Sequence, residues 1–163
     1  MINFPFLNQQ QNEILNDLIN LTENSIIIGG STSLVLQNII DRKINDIDVN
    51  ISENNFIKYQ STLETYFNFY FMGIGNMYIK SNTIYTCKHL KTKKLINLFV
   101  TKDVAKYVKE IDYNHTNIKI IDAKHILLDK TDMVTRKQDI DKHSADIIKI
   151  KKYLNIDEEY IQN

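Results

Sequence analysis

The sequence predicts a single α+β domain over residues 1–163, in which a mixed β-sheet at about 25–121 precedes a helical part at about 122–163. A short apolar run, Ile26–Ile28, ends in two glycines, as a buried strand does. Further along, Ile47, Val49 and Ile51 alternate with polar residues at the period of a strand, whereas apolar residues near the C-terminus recur at helical spacing. A chain of 163 residues is about one domain's worth of sequence.

The elements of the first half follow from the spacing of apolar residues and from capping residues. The turn before the second strand is polar, and Ser52 is placed to cap the helix that follows it. In order, the pattern predicts a helix over 10–21, a strand over 25–28, a helix over 33–40, a turn over 42–45, a strand over 46–51 and a helix over 53–67.

The second half predicts further strands and then two helices. The strands are expected over 69–72 or 77–79, over 84–88, over 95–100 and over 118–121. Asp122 can cap a helix that carries Ile126, Leu127 and Met133, and a final helix is expected over 138–154.

Composition narrows the class of protein. The single cysteine, Cys87, excludes an internal disulfide and a cysteine-based zinc cluster. We find no signal peptide and no segment long enough to cross a bilayer, so we expect a cytoplasmic protein without a membrane partner. The net charge is zero but uneven, because residues 1–57 hold two basic and seven acidic side chains, whereas 58–109 hold nine and two. This is milder than the basic surface of a dedicated nucleic-acid binder.

The loop Gly29-Gly30-Ser31 is the first candidate site. A strand that runs through glycines into a helix presents free backbone N–H groups, and the absence of a Cβ lets a phosphate approach closely. The Ser31 hydroxyl adds a donor. The alternative is an ordinary glycine turn in which Ser31, Thr32 or Ser33 caps the helix.

Asp46 and Asp48 are the second candidate site. Residues i and i+2 of a strand point to the same face, with Cα atoms roughly 6.5 Å apart, so the two carboxylates aim at one place. Mg²⁺ binds one or two carboxylates together with substrate phosphates and water. The alternative is a solvated strand face.

Taken together, the apolar strand, Gly29-Gly30-Ser31, the helix and Asp46-x-Asp48 resemble the minimal nucleotidyltransferases of the polymerase β-like superfamily. Leu34 and the spacing from Arg42 to Asp46 resemble the branch related to abortive-infection and toxin–antitoxin proteins. The resemblance implies the nucleotidyltransferase fold and the transfer of a nucleoside monophosphate from an NTP to a hydroxyl. It also implies Mg²⁺ (or Mn²⁺) at Asp46 and Asp48, with RNA, a protein or a small molecule as the acceptor.

The third acidic position of the family falls at Asn97. Leu95-Ile96-Asn97-Leu98-Phe99-Val100 is similar to the family's apolar-Asp-apolar-Phe strand, in which the third carboxylate helps to bind the metal and to activate the attacking hydroxyl. An amide can offer a carbonyl oxygen but cannot accept a proton. The alternative function is therefore a catalytically impaired protein that binds a nucleotide or a partner protein.

Two groups of basic residues complete the candidates. Lys130, Arg136, Lys142 and Asp146 resemble the Lys…Arg…Lys-x-x-x-Asp pattern of these enzymes, which implies that Lys130 and Arg136 contact phosphates. The alternative for Lys142 and Asp146 is an ordinary i,i+4 ion pair. A further cluster is predicted in a hairpin turn, either to keep an edge soluble or to bind an acidic polymer: Lys88, His89, Lys91, Lys93 and Lys94.

Overall fold

The computed structural model describes residues 1–73, 81–102 and 104–155. Along the chain they form α1 (Gln9–Leu21), β1 (Ile27–Gly29), α2 (Gly30–Leu36), β2 (Ile47–Ser52), α3 (Glu53–Leu63), β3 (Phe67–Gly73), β4 (Ser81–His89), β5 (Leu95–Thr101), a 3₁₀ turn (Val104–Tyr107), β6 (Val108–Tyr113), β7 (Thr116–Ile121), α4 (Ala123–Thr135) and α5 (Ile140–Tyr153).

The strands form one mixed sheet in the order β3-β4-β5-β2-β1-β7-β6. At its centre, β2 runs antiparallel to β1 and parallel to β5, and β1 runs parallel to β7. The mixed sheet followed by α4 and α5 confirms the predicted α+β class.

The alternation in β2 assigns its two faces to different surroundings. Ile47, Val49 and Ile51 are buried in an apolar cluster with residues of α1 and α3, such as Leu15 and Leu63. A second cluster on the other side of the sheet joins residues of α2, α4 and α5, among them Leu34, Val35, Ile126, Leu127 and Ile150. The polar positions of β2 therefore face the side of α2, α4 and α5.

Several boundaries differ from those predicted. The helix expected over 33–40 begins at Gly30 and ends at Leu36, and Asn38 then has a positive φ of 60°, which a continuing helix does not allow. The helix α3 ends at Leu63, so that Phe67 begins β3, and Asp46 lies just before β2. The alternative strand over 77–79 lies outside the described residues.

Strand β6 was not predicted. It pairs with β7 in a hairpin whose two turn residues, Asn114 and His115, both have positive φ, 50° and 67°. Such turns favour Asn-Gly, and Asn-His is a weaker signal because histidine rarely adopts this conformation. Among the described residues, no helix combines the length and apolar composition needed to span a bilayer.

Candidate active site

A cleft opens on the polar face of the sheet, between the start of α2 and the helices α4 and α5. Its walls bring together residues from four separate segments of the chain: Gly30, Ser31, Asp46, Asp48, Lys130 and His143. The two candidate sites of the sequence therefore lie in one cleft.

The glycines belong to the connection from β1 to α2 and lie directly against β2. Gly29 pairs with Asp48 in the antiparallel ladder, and Gly30 has a φ of +54°. A Cβ on Gly30 would lie 2.5 Å from Asp48 Oδ2, and one on Gly29 would lie 2.7 Å from Asn50 Nδ2. A side chain at either position would displace a polar side chain of β2, that of Asp48 for Gly30 and that of Asn50 for Gly29. The glycines thus have a packing reason as well as the predicted phosphate-binding one.

The helix α2 is not capped as the alternative reading expected. Its N-cap is Gly29, which makes no side-chain capping hydrogen bond. The hydroxyl of Ser33 donates instead to the carbonyl of Ile121, at 2.8 Å. The hydroxyl oxygen of Ser31 accepts hydrogen bonds from Arg42 at 2.9 Å and from Lys130 at 3.4 Å. Ser31 therefore connects the loop to cationic side chains.

Asp48 and Asn97 are neighbours across two parallel strands. They are paired in the β2–β5 register, and Asn97 Nδ2 donates a hydrogen bond to Asp48 Oδ1 at 3.1 Å. The residue expected at the third acidic position is thus beside the carboxylate it was predicted to accompany. Asp46 is exposed, one residue before β2, and lines the same cleft as Asp48.

The pKa of the Asp48 carboxyl is raised, first because burial disfavours its charged form. The hydrogen bond from Asn97 opposes this, and the negative charge of Asp46 adds to it. Lys130 and Lys142 lower the pKa by smaller amounts. The surroundings of Asp48 therefore compensate its charged form only in part.

These donors fit a hard divalent cation. Two carboxylates that converge on an open cleft match the protein ligands that Mg²⁺ takes when substrate phosphates complete its coordination. A cation between Asp46 and Asp48 would also favour the charged form of Asp48, against the burial and the Asp46 charge that raise its pKa. Among the described residues, no group of three or more His, Cys, Asp or Glu side chains could hold a metal, so the fit depends on this pair.

Behind the glycine loop lies a buried ionic cluster centred on Asp146. The carboxylate of Asp146 accepts hydrogen bonds from Arg42 Nε at 3.1 Å and Nη2 at 2.7 Å. Its Oδ2 is also 2.9 Å from Lys130 Nζ, and the side chains of Lys130 and Asp146 are 4% and 3% exposed. Lys142 is not an ion-pair partner of Asp146 within the described residues, so the alternative interpretation of these two residues as an i,i+4 pair was wrong.

The pKa values in this cluster follow from burial and from these contacts. Burial lowers the pKa of Lys130, although Asp146 opposes this. Burial by itself would raise the pKa of Asp146, but the hydrogen bonds from Arg42 and Lys130 outweigh it and hold that pKa below 3.8. The cluster keeps a lysine ammonium 3.4 Å from the Ser31 hydroxyl oxygen, beside the loop.

Arg136 lies elsewhere. It follows the last residue of α4, forms an ion pair with Asp132 at 3.0 Å and is half exposed. It is not one of the residues that line the cleft. Its predicted contact with phosphates remains a prediction without a geometric counterpart.

The sequence analysis did not identify several residues that the fold brings to the cleft, among them Asn50, Asp129 and His143. Asn50 could have been found, because it is two residues from Asp48 on the same strand face. His143 Nδ1 is 3.2 Å from Lys130 Nζ, a contact between two helices that the spacing along the chain does not reveal.

Comparison with known proteins relates this architecture to solved structures. No protein-family model matches the chain, and no curated protein matches it significantly. The antibiotic-resistance factor ANT(2″)-Ia, in complex with adenylyl-2″-tobramycin, is 11% identical, with a TM-score of 0.66 over 90% of each chain. The chain has the nucleotidyltransferase fold.

Two further structures share this nucleotidyltransferase fold. The candidate nucleotidyltransferase TM1012 from Thermotoga maritima is 13% identical, with a TM-score of 0.60 over 91% of this chain and 95% of its own. An antigenic nucleotidyltransferase-like protein from Paracoccidioides brasiliensis is 14% identical, with a TM-score of 0.54 over 90% of this chain and 78% of its own. At these identities the likeness concerns the fold, and the chemistry has to be argued from the cleft.

Proposed function

We propose that this protein is a divalent-metal-dependent enzyme that transfers a nucleoside monophosphate from an NTP to a hydroxyl acceptor. The observation that carries the proposal is the meeting of Asp46, Asp48, Gly30, Ser31 and Lys130 in one cleft. Carboxylates, a glycine loop and a lysine are the groups required to hold a metal–triphosphate complex.

Each residue has a distinct task in this proposal. Gly30 and Ser31 contact the phosphates at the start of α2, and Lys130 neutralises phosphate charge from behind the loop. Asp46 and Asp48 would hold Mg²⁺ (or Mn²⁺), which when bound neutralises charge on the triphosphate and aligns it for in-line displacement. Arg42 and Asp146 position Lys130 and Ser31 through their hydrogen bonds.

The side chain at position 97 matters for the reaction because the acceptor hydroxyl has to lose its proton. Asn97 donates its hydrogen bond to Asp48 and cannot accept a proton. In this proposal the proton leaves by way of water at the exposed Asp46 side of the cleft, and turnover is slow.

A direct test is incubation with NTPs labelled at the α-phosphate, with Mg²⁺ or Mn²⁺, followed by detection of label on an added acceptor or on the protein itself. Calorimetry with and without Mg²⁺ should show tighter NTP binding with the metal. The double variant Asp46→Asn, Asp48→Asn should lose this metal dependence. A matched control is Glu110→Gln with Asp112→Asn, which removes two carboxylates from the exposed edge strand β6.

The observation that Asn97 lies beside Asp48 favours a second candidate function. A protein without the third carboxylate can retain nucleotide binding while losing catalysis, and would then act by binding a nucleotide or a partner protein. Metal-dependent NTP binding without label transfer to any acceptor would support this second function. Binding that is insensitive to both the metal and the double variant would contradict both functions.

A further inference from the structure

A second groove meets the candidate active site at Asp46. It lies between the start of α1 and the turn that connects β4 and β5, and Asn8, Gln11, Lys93 and Lys94 line it. Asp46 lines both the groove and the cleft. One carboxylate of the candidate metal pair is therefore reached from two sides.

The β4–β5 turn is fixed firmly against α1. His89, whose side chain is 0% exposed, bonds through Nε2 to Asp17 Oδ2 at 2.7 Å and through Nδ1 to Thr92 Oγ1 at 2.9 Å. Lys91 forms an ion pair with Glu13 on the same helix. Two members of the predicted basic cluster thus hold the turn in place.

Two further lysines of the turn, Lys93 and Lys94, have no ion-pair partner among the described residues. The side chains of Lys93 and Lys94 are exposed and form no ion pair with any residue that the structure describes. Their backbones are held, since Lys93 N donates to His89 O and His89 N donates to Lys94 O, each at 2.8 Å. The fold therefore presents two uncompensated ammonium groups on a fixed turn beside the groove.

A hydrogen bond links the floor of the groove to the segment that precedes Asp46. Gln11 Nε2 donates to the carbonyl of Ile44 at 2.6 Å, which links α1 to the residues directly before Asp46. Asn8 caps α1 through its side chain and also lines the groove. Apart from Asp46, which a bound metal would neutralise, the groove lining carries no acidic side chain among the described residues.

We propose that this groove binds the acceptor, and that the acceptor is a hydroxyl compound carrying phosphate. This inference rests on the proposed transferase function. In an in-line displacement the nucleophile approaches opposite the leaving pyrophosphate. If Gly30, Ser31 and Lys130 hold the triphosphate on one side of the carboxylates, the groove beyond Asp46 is the open approach for the nucleophile. Two free ammonium groups there attract phosphate and repel a polycation such as tobramycin.

The transfer step balances without another reactant. The acceptor oxygen forms a bond to the α-phosphorus of the NTP while the bond from that phosphorus to the β-phosphate oxygen breaks. Pyrophosphate leaves with the bonding electron pair, and the hydroxyl proton passes to water next to the exposed Asp46. The phosphate of the acceptor takes no part in bond changes and serves only to position the hydroxyl against Lys93 and Lys94.

Phosphate beside a hydroxyl occurs both in small sugar phosphates and at the end of an RNA strand. Two anionic probes separate these sources, namely ribose 5-phosphate and a single-stranded ribo-oligonucleotide with a free 3′-hydroxyl. Ribose and tobramycin are the neutral and cationic comparisons. Binding is measured without NTP, by calorimetry for the small molecules and by fluorescence anisotropy for the oligonucleotide.

The test variant is Lys93→Gln with Lys94→Gln, and the matched control is Lys151→Gln with Lys152→Gln, an adjacent pair at the end of α5 that lines neither the cleft nor the groove. We expect the test variant to weaken binding of an anionic probe by tenfold or more, and the control to leave it unchanged. For the oligonucleotide, losing two phosphate contacts should reduce the slope of log K against log salt by about 1.4. Mg-NTP binding should be the same in both variants.

If the test variant weakens binding of the oligonucleotide alone, the acceptor is an RNA end. If it weakens binding of ribose 5-phosphate, the acceptor is a small phosphate ester. Equal loss in both variants, absence of anion binding, or a preference for tobramycin overturns the inference. If Mg-NTP binds normally while the anionic probes fail, only the acceptor assignment is lost. If Mg-NTP itself fails to bind, the proposed function is lost, which the calorimetry reports separately.

Discussion

Gly30 has no room for a side chain because Asp48 Oδ2 lies 2.5 Å from the point that its Cβ would occupy. The loop predicted to bind phosphate and the carboxylate predicted to bind metal therefore touch each other. Gly30 also has a φ of +54°, a conformation that a residue with a Cβ adopts only at a cost. Glycine at position 30 is therefore favoured both by the positive φ of the turn and by the position of the Asp48 carboxylate.

Gly30→Ala should impair the site more than Gly29→Ala. Alanine at the positive φ costs about 1–2 kcal/mol, and its Cβ would displace the Asp48 carboxylate. Gly29 has an extended backbone with a φ of −120°, and its Cβ would meet only the end of the Asn50 side chain. We expect Gly30→Ala to weaken Mg-NTP binding at least tenfold in calorimetry. Equal effects of the two substitutions would contradict the role of the Gly30–Asp48 contact.

Asp48→Asn should stabilise the metal-free protein at neutral pH. The folded-state pKa of Asp48 is raised above its ordinary value of 3.8, so its contribution to stability is full below that value and is lost as pH rises through the folded pKa. Removing the charge abolishes this loss, and each kcal/mol recovered corresponds to about 2–4 °C in Tm. Thermal unfolding from pH 4 to pH 8 measures the effect.

The same melts with added Mg²⁺ provide the control for Asp48→Asn. The metal should raise the Tm of the wild type, because it binds the folded state, but should not raise that of the variant. A variant that is less stable than the wild type throughout the pH range would show that Asp48 is compensated better than its surroundings indicate.

Asn97→Asp should make the protein dependent on metal for stability. The substitution replaces the hydrogen bond to Asp48 by a third negative charge, and a hydrogen bond to a charged group contributes about 1.5–3 kcal/mol. We expect a lower Tm without Mg²⁺ and recovery with it. Label transfer should rise by roughly 10²- to 10⁴-fold if proton acceptance limits the wild type.

The isosteric comparison Asn97→Leu separates the two effects of Asn97→Asp. It removes the same hydrogen bond and adds no charge, so Mg²⁺ should raise its Tm by no more than it raises that of the wild type. If Asn97→Asp leaves transfer unchanged while the wild type is active, the proton leaves without a carboxylate at this position. If neither form transfers label, the binding function is favoured.

Asp146→Asn should destabilise the protein by about 3–5 kcal/mol, because it leaves two cations, one of them the buried Lys130, without their carboxylate. The double change Lys130→Met, Asp146→Leu should recover part of this stability while still impairing NTP binding. Chemical denaturation gives the free energy of unfolding, and calorimetry gives the affinity. A double variant that binds Mg-NTP like the wild type would exclude Lys130 from the phosphate site.

Acid should weaken the same cluster. The pKa of Asp146 is held below 3.8, so its contribution to stability is present above that value and is lost as pH falls through the lowered folded pKa. In the background Asp146→Asn, this part of the acid dependence should disappear. An unchanged acid limb in urea denaturation would assign it to other carboxylates.

The local sequence determined the elements whose signals are contained within a few residues. Gly29-Gly30 after an apolar run predicted the connection from β1 to α2, and the alternation around Asp48 predicted β2, because strand period and glycine freedom are local properties. The parallel pairing that brings Asn97 beside Asp48 agreed with the residue expected there from family resemblance. Strand β6 was not predicted because Asn114-His115 is a weak turn signal.

Only the tertiary structure decided which distant charges meet. Asp146 pairs with Arg42, 104 residues away, rather than with Lys142 on its own helix, because packing α5 against α2 and α4 buries it among partners that the spacing along α5 cannot reveal. In the same way, the packing of α1 against the β4–β5 turn divides one run of basic residues, so that His89 and Lys91 are paired while Lys93 and Lys94 remain beside the groove. Burial and long-range pairing depend on three-dimensional neighbours, whereas the sequence specifies only which side chains are available to pair.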